Sequence, residues 1–445
     1  MSDVRRFPVG GTHLPEEKAL TTDLPIVEMP APARVVIPLK QHIGVPVVPL
    51  VAPGDAVRRG EVLGSDAAGL HAVVHASISG VVEELTTCSM PDGSHVPAVA
   101  IRRTSAGAAD DDQLLLEPLD LDGLTDDAFA DAVRARVEEA GIVGLGGATF
   151  PTHVKLAVRD RIDTVIVNGA ECEPYITVDD RIMQERADRV LRGLEIVRRV
   201  VGAERGFVAC EINKPAALER LREAAAAFEH IDAVPLDTRY PHGAEKHLVK
   251  AVLNREVALR ALPSSVGVLV NNVQTVMAIA DAVDFGRALH ARVVTASGRG
   301  LTSPKNLLVP IGTSVGDVIE FCGGAATADP AVIVGGPMTG TRIQDFTIPV
   351  TKATSGIVLL TQEEYAGSIP MACIRCGMCV EVCPMYLPPN RITAYANKDM
   401  LEEAVGAGLD ACILCGACQF VCPSKRPLLE WIKRGKALAA EQLKK

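Results

Sequence analysis

The sequence predicts a modular protein built from α/β and β domains. Its 445 residues exceed what one hydrophobic core normally holds, and domain sizes of about 100–200 residues suggest about three domains. Short apolar runs separated by Gly, Pro and Asp occupy residues 35–103 and return at 291–365, whereas 124–290 alternates helical and strand patterns. Most of the 12 cysteines lie in the last quarter of the chain, where one spacing occurs twice.

Composition excludes two classes of protein. The 45 Lys and Arg residues face 55 Asp and Glu, and only 3% of residues are aromatic, so we expect no nucleic-acid partner. The longest apolar candidate for a membrane span, residues 261–280, contains proline, serine and asparagine. The start of the chain lacks the apolar run of a signal peptide. We therefore expect a protein that is kept in the cytoplasm or is held at a membrane only by partner proteins.

The first 103 residues are interpreted as two parts. Residues 1–34 are rich in Pro and Gly and predict an extended arm. Residues 35–103 predict a small β domain, because a PGD turn and a following GE pair at 60–61 resemble a biotinyl/lipoyl-type barrel-sandwich. The hairpin tip would be near Ala67, and no lysine lies between Lys40 and Lys155. We expect a structural module without a lipoyl or biotinyl arm.

An α/β domain is predicted for residues 124–290, after an acidic linker at 104–123 that includes Asp110, Asp111 and Asp112. Asp126 and Asp127 favour a helix start through the helix dipole, and Gly141 follows the helix end. Further patterns predict strands at 163–169 and 206–212, one long amphipathic helix at 179–202, and a helix at 216–228. The tail at 427–445 is predicted to be a helix.

The cysteine repeats at residues 366–426 predict two 4Fe–4S clusters. Each repeat has the spacing C-x2-C-x2-C-x3-C-P, in which the fourth cysteine ligates the other cluster. One cluster is assigned to Cys373, Cys376, Cys379 and Cys422, and the other to Cys412, Cys415, Cys418 and Cys383. Zinc normally uses paired cysteines at longer separation, so it is the weaker interpretation. The helical pattern between the repeats indicates a helical ferredoxin-like domain.

A glycine-rich loop follows the first helix of the α/β domain, with Gly144, Gly146 and Gly147 before Pro151. Such a loop at a helix N-terminus can bind phosphate or a ring. It lacks both the Rossmann and the P-loop patterns, and by itself a tight turn explains it equally well. Iron–sulfur clusters transfer single electrons whereas NADH gives a hydride, so a chain that joins them needs a flavin.

Four segments resemble the flavin and NADH pocket of the flavoprotein component of complex I, in the same order. They are GLGGATFPTHVK at 144–155, NGAECEPY at 168–175, YPHGAEK at 240–246 and NNVQT at 271–275. The whole chain resembles the RnfC family, whose members belong to ion-coupled ferredoxin:NAD oxidoreductases. This resemblance rests on FPVGGTHLPEEK at 7–18, PLKQHIG at 38–44 and CPSKRPL at 422–428. The module at 291–365 resembles the SLBB domain of the same family.

The resemblance implies a non-covalent FMN across Gly144, Gly146 and Gly147, with Lys155 near its polar edge or phosphate. The other implied pocket residues are Asn168, Glu171, Tyr240, Gly243, Glu245, Asn271, Asn272 and Thr275. Phe150 would stack on the nicotinamide or adenine of NAD(H), and Glu173 would contact the nucleotide. Thr149 and Ala244 depart from the complex I pattern, which has a glycine and an acid at those places.

The resemblance further implies a peripheral electron-transfer protein on the cytoplasmic face of the cell membrane. Its partners would be integral membrane and iron–sulfur subunits, with ferredoxin as an indirect partner. Two alternatives stay open: a soluble NADH-dependent flavo-iron–sulfur reductase of the cobalamin-reductase type, and a cluster-bearing wire without flavin turnover.

Two other candidate sites have simpler interpretations. Cys172 is interpreted as a small buried residue rather than as a redox thiol. A metal site at His71 and His75 is not favoured, because it lacks a nearby third ligand.

Overall fold

A computed structural model describes residues 4–66, 68–104, 116–365 and 369–442 of the chain. Most of the predicted acidic linker, Asp110, Asp111 and Asp112 included, lies outside these residues, as does the predicted hairpin tip at Ala67. Among the described residues no helix is both long enough and apolar enough to span a membrane.

The N-terminal β domain consists of two small antiparallel sheets. Its strands are β2 (Arg34–Pro38), β3 (Val48–Pro49), β4 (Ala56–Val57), β5 (Val62–Ser65), β6 (Val74–His75), β7 (Gly80–Ser89) and β8 (His95–Arg103). One sheet has the order β2-β8-β7-β4 and the other β3-β5-β6. Inward-facing Val35, Ile37, Leu63 and Ile101 are fully buried and form the core between them. The alternation of apolar residues therefore folds as the sequence predicts.

The α/β domain contains a four-stranded parallel sheet. Its elements are α1 (Asp126–Glu139), α2 (Thr152–Leu156), β9 (Thr164–Gly169), α3 (Val178–Glu185), α4 (Ala187–Val200), β10 (Arg205–Glu211), α5 (Pro215–Ala225), β11 (Ile231–Leu236), α6 (Glu245–Leu253), β12 (Val268–Asn272) and α7 (Val273–Phe285). The strand order is β11-β10-β9-β12. All four strands run parallel, so their carboxyl ends lie at one edge, where ligands bind in open α/β sheets.

The long helix predicted at 179–202 is two helices, and that part of the prediction is wrong. Arg186, with φ −137° and ψ 33°, leaves the helical region and separates α3 from α4. Both helices pack against α5 and α7, and α4 also packs against α1. Periodicity alone does not report this break, because both helices keep an apolar face.

The third unit is a six-stranded mixed sheet with two flanking helices. Its elements are β13 (Ala291–Ser297), β14 (Lys305–Pro310), α8 (Val315–Phe321), β15 (Ala331–Val334), β16 (Thr341–Ile343), β17 (Gly356–Leu360) and α9 (Gln362–Tyr365). Its edge strand, β1 (Ile26–Glu28), comes from the predicted arm and pairs in parallel with β14. The strand order is β1-β14-β13-β17-β15-β16. The N-terminal segment thus pairs with a strand that lies about 280 residues later in the chain.

The C-terminal unit is helical, as its sequence predicts. Its helices are α10 (Met378–Glu381), α11 (Pro389–Ala396), α12 (Leu401–Gly406), α13 (Ala417–Phe420) and α14 (Leu428–Gln442). The short helices α10 and α13 carry the third cysteine of each repeat and contact each other. Buried Ile392, Leu409 and Ile432 join α11 and α14 beneath them.

Lys352 connects three of these units through its buried ammonium group. The side chain is about 1% exposed, and Nζ donates to the carbonyls of Val73 (2.7 Å) and Gly141 (2.6 Å). Val73 belongs to the β domain, Gly141 follows α1, and Lys352 precedes β17. Burial lowers the pKa of Lys352 to about 7.

We expect the stability of this junction to rise with pH between about 7 and 10. In that window an unfolded lysine keeps its proton while the folded one releases it, so the unfolded state binds more protons and folding gains up to ~1.4 kcal/mol per pH unit. Thermal midpoints of wild type and Lys352→Met, compared at several pH values, test this. The thermal midpoint of the wild type should rise relative to that of the variant as pH increases. Parallel curves of midpoint against pH would contradict the lowered pKa of Lys352.

Candidate functional site

The glycine-rich loop forms a closed turn between α1 and α2. The amide of Gly144 donates to the Phe150 carbonyl (2.9 Å), and the amide of Thr149 donates to the Gly144 carbonyl (3.1 Å). Thr149 has φ +48°, a left-handed conformation that costs a β-branched residue strain. This is the position where the complex I pattern has glycine, so the loop keeps the glycine-type conformation without the glycine.

Two glycines of this loop face the predicted cofactor position in different ways. A Cβ on Gly146 would lie 3.1 Å from Asn272 Cβ, so glycine allows the loop to approach the end of β12. Gly147 has φ +120°, and a Cβ there would meet no protein atom within 4 Å. The amide of Leu145 donates to Thr275 Oγ1 (2.8 Å), which fixes the loop to α7. The loop therefore borders open space beside the sheet edge.

Several predicted pocket residues meet at this edge. Asn168 and Asn272 are register partners at the ends of β9 and β12. Asn168 Nδ2 donates to the Gly243 carbonyl (2.8 Å), which places the segment before α6 beside β9. Lys155 Nζ donates to the Val270 carbonyl and lies 3.4 Å from Glu245 Oε1. Lys155, Asn168, Asn272, Gly243 and Glu245 are thus brought together.

Asn271 carries the clearest indication of a polar partner outside the chain. Its side chain is buried, and no hydrogen-bond partner within the described residues reaches Nδ2. A buried amide donor left unpaired costs about 1–3 kcal/mol. A flavin ring presents acceptor oxygens and nitrogens at its polar edge, so an FMN at this edge fits the donor. Gly147 leaves the space, and Lys155 provides a positive charge for a polar edge or phosphate.

Glu171 has a structural role, because its side chain contacts the start of α3. Its carboxylate accepts from the amides of Asp179 (2.6 Å) and Asp180 (3.2 Å) at the start of α3, and Lys18 Nζ lies 4.0 Å away. The side chain is 3% exposed, and burial raises the pKa of Glu171 to about 8 against the lowering effect of Lys18. Its predicted contact with FMN stays a prediction.

Glu173 holds the pocket segment against the six-stranded sheet. Its carboxylate accepts from the Met338 amide (3.0 Å) and the Thr339 hydroxyl (2.5 Å), both in the turn between β15 and β16. Burial raises the pKa of Glu173. The predicted nucleotide contacts of Glu173 and of the partly buried Phe150 stay predictions. Cys172 is half-buried rather than buried as predicted, and its surroundings raise its pKa to about 12, which does not favour a redox thiol.

Two residues beneath the pocket were not singled out from the sequence. Lys18 Nζ donates to the carbonyls of Glu171 (2.9 Å), Glu173 (3.0 Å) and Ile176. Asp179 accepts from Asn272 Nδ2 (2.7 Å), which orients that asparagine at the end of β12. The only sequence signals were the lysine that ends the FPVGGTHLPEEK segment and the acidic pair in the first turn of α3.

Four cysteines line one small cavity in the C-terminal unit. They are Cys383, Cys412, Cys415 and Cys418, and Pro384, Leu387, Ile392, Leu429 and Ile432 complete the walls. Four thiols in an apolar cavity are the donor set of a 4Fe–4S cluster. Gly416, with φ +76°, supplies the left-handed turn between the second and third of these thiols in the repeat. We call this the buried cluster site.

The amides of Leu387 and Leu414 each lie 3.4 Å from a thiol of the buried cluster site, on Cys383 and Cys412 respectively. Amide–sulfur hydrogen bonds are one of the means by which a protein sets a cluster potential. Burial raises the pKa of Cys415 to about 12, with Cys412 and Cys383 adding to the effect.

We call the site predicted for Cys373, Cys376, Cys379 and Cys422 the exposed cluster site. Cys373 and Cys376 are exposed, and Cys379 and Cys422 are half-buried. Burial raises the pKa of Cys379, and Cys373 and Cys376 lie close enough to add to it. Gly377, with φ +85°, repeats the turn seen at Gly416. The assignment of Cys422 to this site stays a prediction.

The described residues, the two cysteine sites included, hold no group of three or more His, Cys, Asp or Glu side chains arranged to hold a single metal ion. In the structure His71 and His75 do not share a strand, because β6 contains only Val74–His75. His71 is half-buried and bonded to the Gly69 carbonyl (2.8 Å), whereas His75 is buried and its pKa is lowered by burial to about 3.

Family comparisons match the four units in order. Residues 6–106 match the RnfC barrel sandwich hybrid domain, 137–281 the Nuo51 FMN-binding domain, 293–342 the SLBB domain, and 371–426 the 4Fe-4S dicluster domain. The predicted fold class is thereby confirmed, including the barrel-sandwich and the SLBB-like module. Together the fold and the two kinds of site define an iron–sulfur flavoprotein that transfers electrons.

Curated relatives identify the family. The C component of a proton-translocating ferredoxin:NAD(+) oxidoreductase complex from Clostridium ljungdahlii is 40% identical over 89% of this chain and 85% of its own length. Its Na(+)-translocating counterpart from Acetobacterium woodii is 40% identical over 88% of each chain. The chain belongs to the RnfC family, the C components of these ion-translocating oxidoreductases.

Two further comparisons differ in extent. The C component of an ion-translocating oxidoreductase complex from Pseudomonas aeruginosa is 40% identical over all of this chain, which spans 57% of that protein. Among solved structures, an NAD+-reducing [NiFe]-hydrogenase in the H2-reduced state is 18% identical, with a TM-score of 0.48, over 73% of this chain and 64% of that one. Similarity at that level locates no site.

Proposed function

We propose that this chain is the NAD(H)-linked electron-transfer component of an ion-translocating ferredoxin:NAD(+) oxidoreductase complex. It exchanges a hydride between NAD(H) and FMN, and single electrons between two 4Fe–4S clusters and partner subunits. Those partners are iron–sulfur and integral membrane subunits that hold it at the cytoplasmic face of the membrane. The supporting observation is that the pocket residue Tyr240 donates its hydroxyl to the carbonyl of the cluster cysteine Cys415 (2.6 Å).

Each part of the pocket has a separate task in this proposal. FMN supplies the conversion between a two-electron hydride and single electrons. The glycine loop leaves space for a flat ring beside the sheet edge, Asn271 donates to that ring, and Lys155 places a positive charge at its polar edge. The carboxylates of Glu171 and Glu173 hold the segment from 168 to 175 in place from below. None of these groups has to move a proton for hydride transfer.

The soluble-reductase alternative shares the flavin pocket but has no need of the N-terminal β domain. Here that domain matches the RnfC family over residues 6–106, and Lys352 ties it to the α/β and β-rich units. Co-purification of the chain with integral membrane subunits from its own host would support the complex. A chain that always purifies alone, with full NADH turnover, would support the soluble reductase.

An anaerobic reduction experiment tests the central proposal. The chain is reconstituted with iron, sulfide and FMN, NADH is added, and flavin absorbance and cluster EPR are followed together. Flavin bleaching followed by reduced-cluster signals is the expected result. If FMN stays unbound or unbleached while dithionite still reduces the clusters, the chain is an electron wire, and strained Thr149 would be the first residue to examine.

Replacement of Asn271, whose side-chain amide is unpaired, should change protein stability and FMN affinity in opposite directions. We expect Asn271→Leu to stabilise the cofactor-free protein by about 1 kcal/mol, because it removes a buried unpaired donor. The same change should weaken FMN binding about 3- to 10-fold, because one hydrogen bond is lost. Thermal unfolding without FMN and fluorescence titration with FMN measure the two effects.

Thr152→Val is the matched control for Asn271→Leu. Thr152 Oγ1 is also buried without a partner among the described residues, but it is not a predicted pocket residue. It should stabilise the protein without changing FMN affinity. Equal losses of affinity in both variants would contradict the role of Asn271.

A further inference from the structure

A cavity of about 500 Å³ lies where the N-terminal β domain, the α/β domain and the six-stranded sheet meet, and we call it the junction cavity. Ser77 lines it from the first unit, Arg186 and Met277 from the second, and Arg292 from the third. Leu145 of the glycine-rich loop also contributes to the wall, whereas none of the predicted FMN residues does. A cavity of this volume holds a small organic ligand.

Arg292, on β13, is a buried cation with an incomplete set of partners. Its Nη2 donates to the Leu145 carbonyl (2.6 Å) and its Nη1 to the Lys352 carbonyl. Nε has no hydrogen-bond partner among the described residues, and none of their carboxylates forms an ion pair with the guanidinium. Burial lowers the pKa of Arg292 to about 10, although Asp179 opposes the change. Buried charges in proteins are normally paired, so this guanidinium favours an anion in the junction cavity.

Two further donors on the wall of the junction cavity also lack partners. Ser77, just after β6, is buried, and its Oγ has no hydrogen-bond partner within the described part of the chain. Arg186, at the break between α3 and α4, is half-buried, and no hydrogen bond or ion pair joins its side chain to another described residue. Hydroxyl and guanidinium groups both donate to phosphate oxygens. The three unpartnered donors come from three different units of the fold.

The charges on the wall of the junction cavity favour an anion. Four arginines and two carboxylates line it: Arg59, Arg186, Arg287 and Arg292, and Glu28 and Asp281. Asp281 is already paired with Arg189, which lies outside the wall (3.0 Å). The remaining excess of positive charge attracts an anionic ligand. Met277, Val293 and Leu308 form an apolar part of the same wall, which suits an uncharged portion of that ligand.

We propose that the junction cavity binds a phosphorylated ligand of about nucleotide size, at a site separate from that of FMN and NAD(H). The phosphate accepts hydrogen bonds from Arg292 Nε, Ser77 Oγ and the Arg186 guanidinium, and the uncharged part of the ligand lies against Met277. Arginine is suited to this role, because its planar group donates to phosphate in a fixed geometry. Since the donors belong to three units, the bound ligand stabilises their junction and raises the thermal midpoint.

The binding experiment uses the full chain loaded with FMN and saturated with NAD+, so that the predicted cofactor pocket is occupied. Isothermal titration with uridine diphosphate (UDP) should show one molecule bound per chain, and uridine, which lacks the phosphates, should not bind. Inorganic phosphate should bind more weakly than UDP, because it makes no contact with the apolar wall. Absence of UDP binding, equal binding of uridine, or displacement of UDP by NAD+ would overturn the proposal. Equal affinity for phosphate and UDP would overturn the nucleotide size and indicate a site for free phosphate.

Ser77→Ala and Arg186→Gln locate the bound UDP, with Ser297→Ala as the matched control. Neither Ser77 nor Arg186 has a side-chain partner to lose within the described residues, so both variants should fold. The affinity for UDP should fall about 3- to 10-fold in Ser77→Ala and at least about 10-fold in Arg186→Gln, where a charged donor is lost. Ser297 Oγ is also buried without a described partner but does not line the cavity, so Ser297→Ala should bind UDP as wild type does. Wild-type affinity in all three variants would overturn the site.

Discussion

Replacement of Cys383 by serine is expected to remove the buried cluster and to leave the exposed one. In sequence, Cys383 directly follows the three cysteines of the exposed site. In the structure it lines the cavity of Cys412, Cys415 and Cys418 instead. Iron content should fall from about eight to about four atoms per chain. The remaining EPR signal should be the one that Cys376→Ser alters.

Cys422→Ser is the reciprocal control for this prediction. Cys422 follows the second repeat but is assigned to the exposed site, so its loss should spare the buried cluster. The two variants should therefore show exchanged EPR signatures at similar iron content. If Cys383→Ser removes the exposed signal, each repeat would bind its own cluster and the crossed assignment would be wrong.

Lys18→Met is expected to cause the largest loss of stability outside the cluster sites, about 3–5 kcal/mol, because three buried acceptors lose their donor. These acceptors are the carbonyls of Glu171, Glu173 and Ile176. These carbonyls belong to the segment that positions Asn168 in the pocket. FMN occupancy should therefore fall together with the thermal midpoint.

Lys433→Met serves as the control for Lys18→Met, because Lys433 is an exposed lysine on α14. Its thermal midpoint and FMN occupancy should match wild type. Lys18→Arg should recover part of the stability, since it keeps the charge while its larger head group disturbs the buried site. Equal stability of Lys18→Met and wild type would show that the carbonyls find other donors.

The two glutamates of the NGAECEPY motif contact structural elements outside the predicted pocket. NGAECEPY resembles a cofactor-binding segment, and both of its glutamates were predicted to bind cofactors. In the structure Glu171 accepts from the start of α3 and Glu173 from the turn between β15 and β16. The segment therefore joins the α/β domain to the six-stranded sheet, and the neighbouring Asn168 and Gly243 line the pocket edge.

Features that depend on local spacing could be predicted from the residues alone. The cysteine repeats specified two clusters, because three thiols spaced three positions apart can bind three irons of one cluster. Apolar alternation specified the β units, and the segments FPVGGTHLPEEK, PLKQHIG and CPSKRPL specified the family resemblance. These signals survive without a structure, since each depends on residues a few positions apart.

Contacts between residues that are far apart in the sequence became visible only in the structure. Lys18 reaches carbonyls more than 150 positions away, β1 completes a sheet with β14, and the predicted long helix breaks at Arg186. One cluster site is buried against Tyr240 while the other is exposed. The physical reason is that burial and buried charge pairing are properties of the assembled surfaces, and a period of two or 3.6 residues carries no information about which surfaces come together.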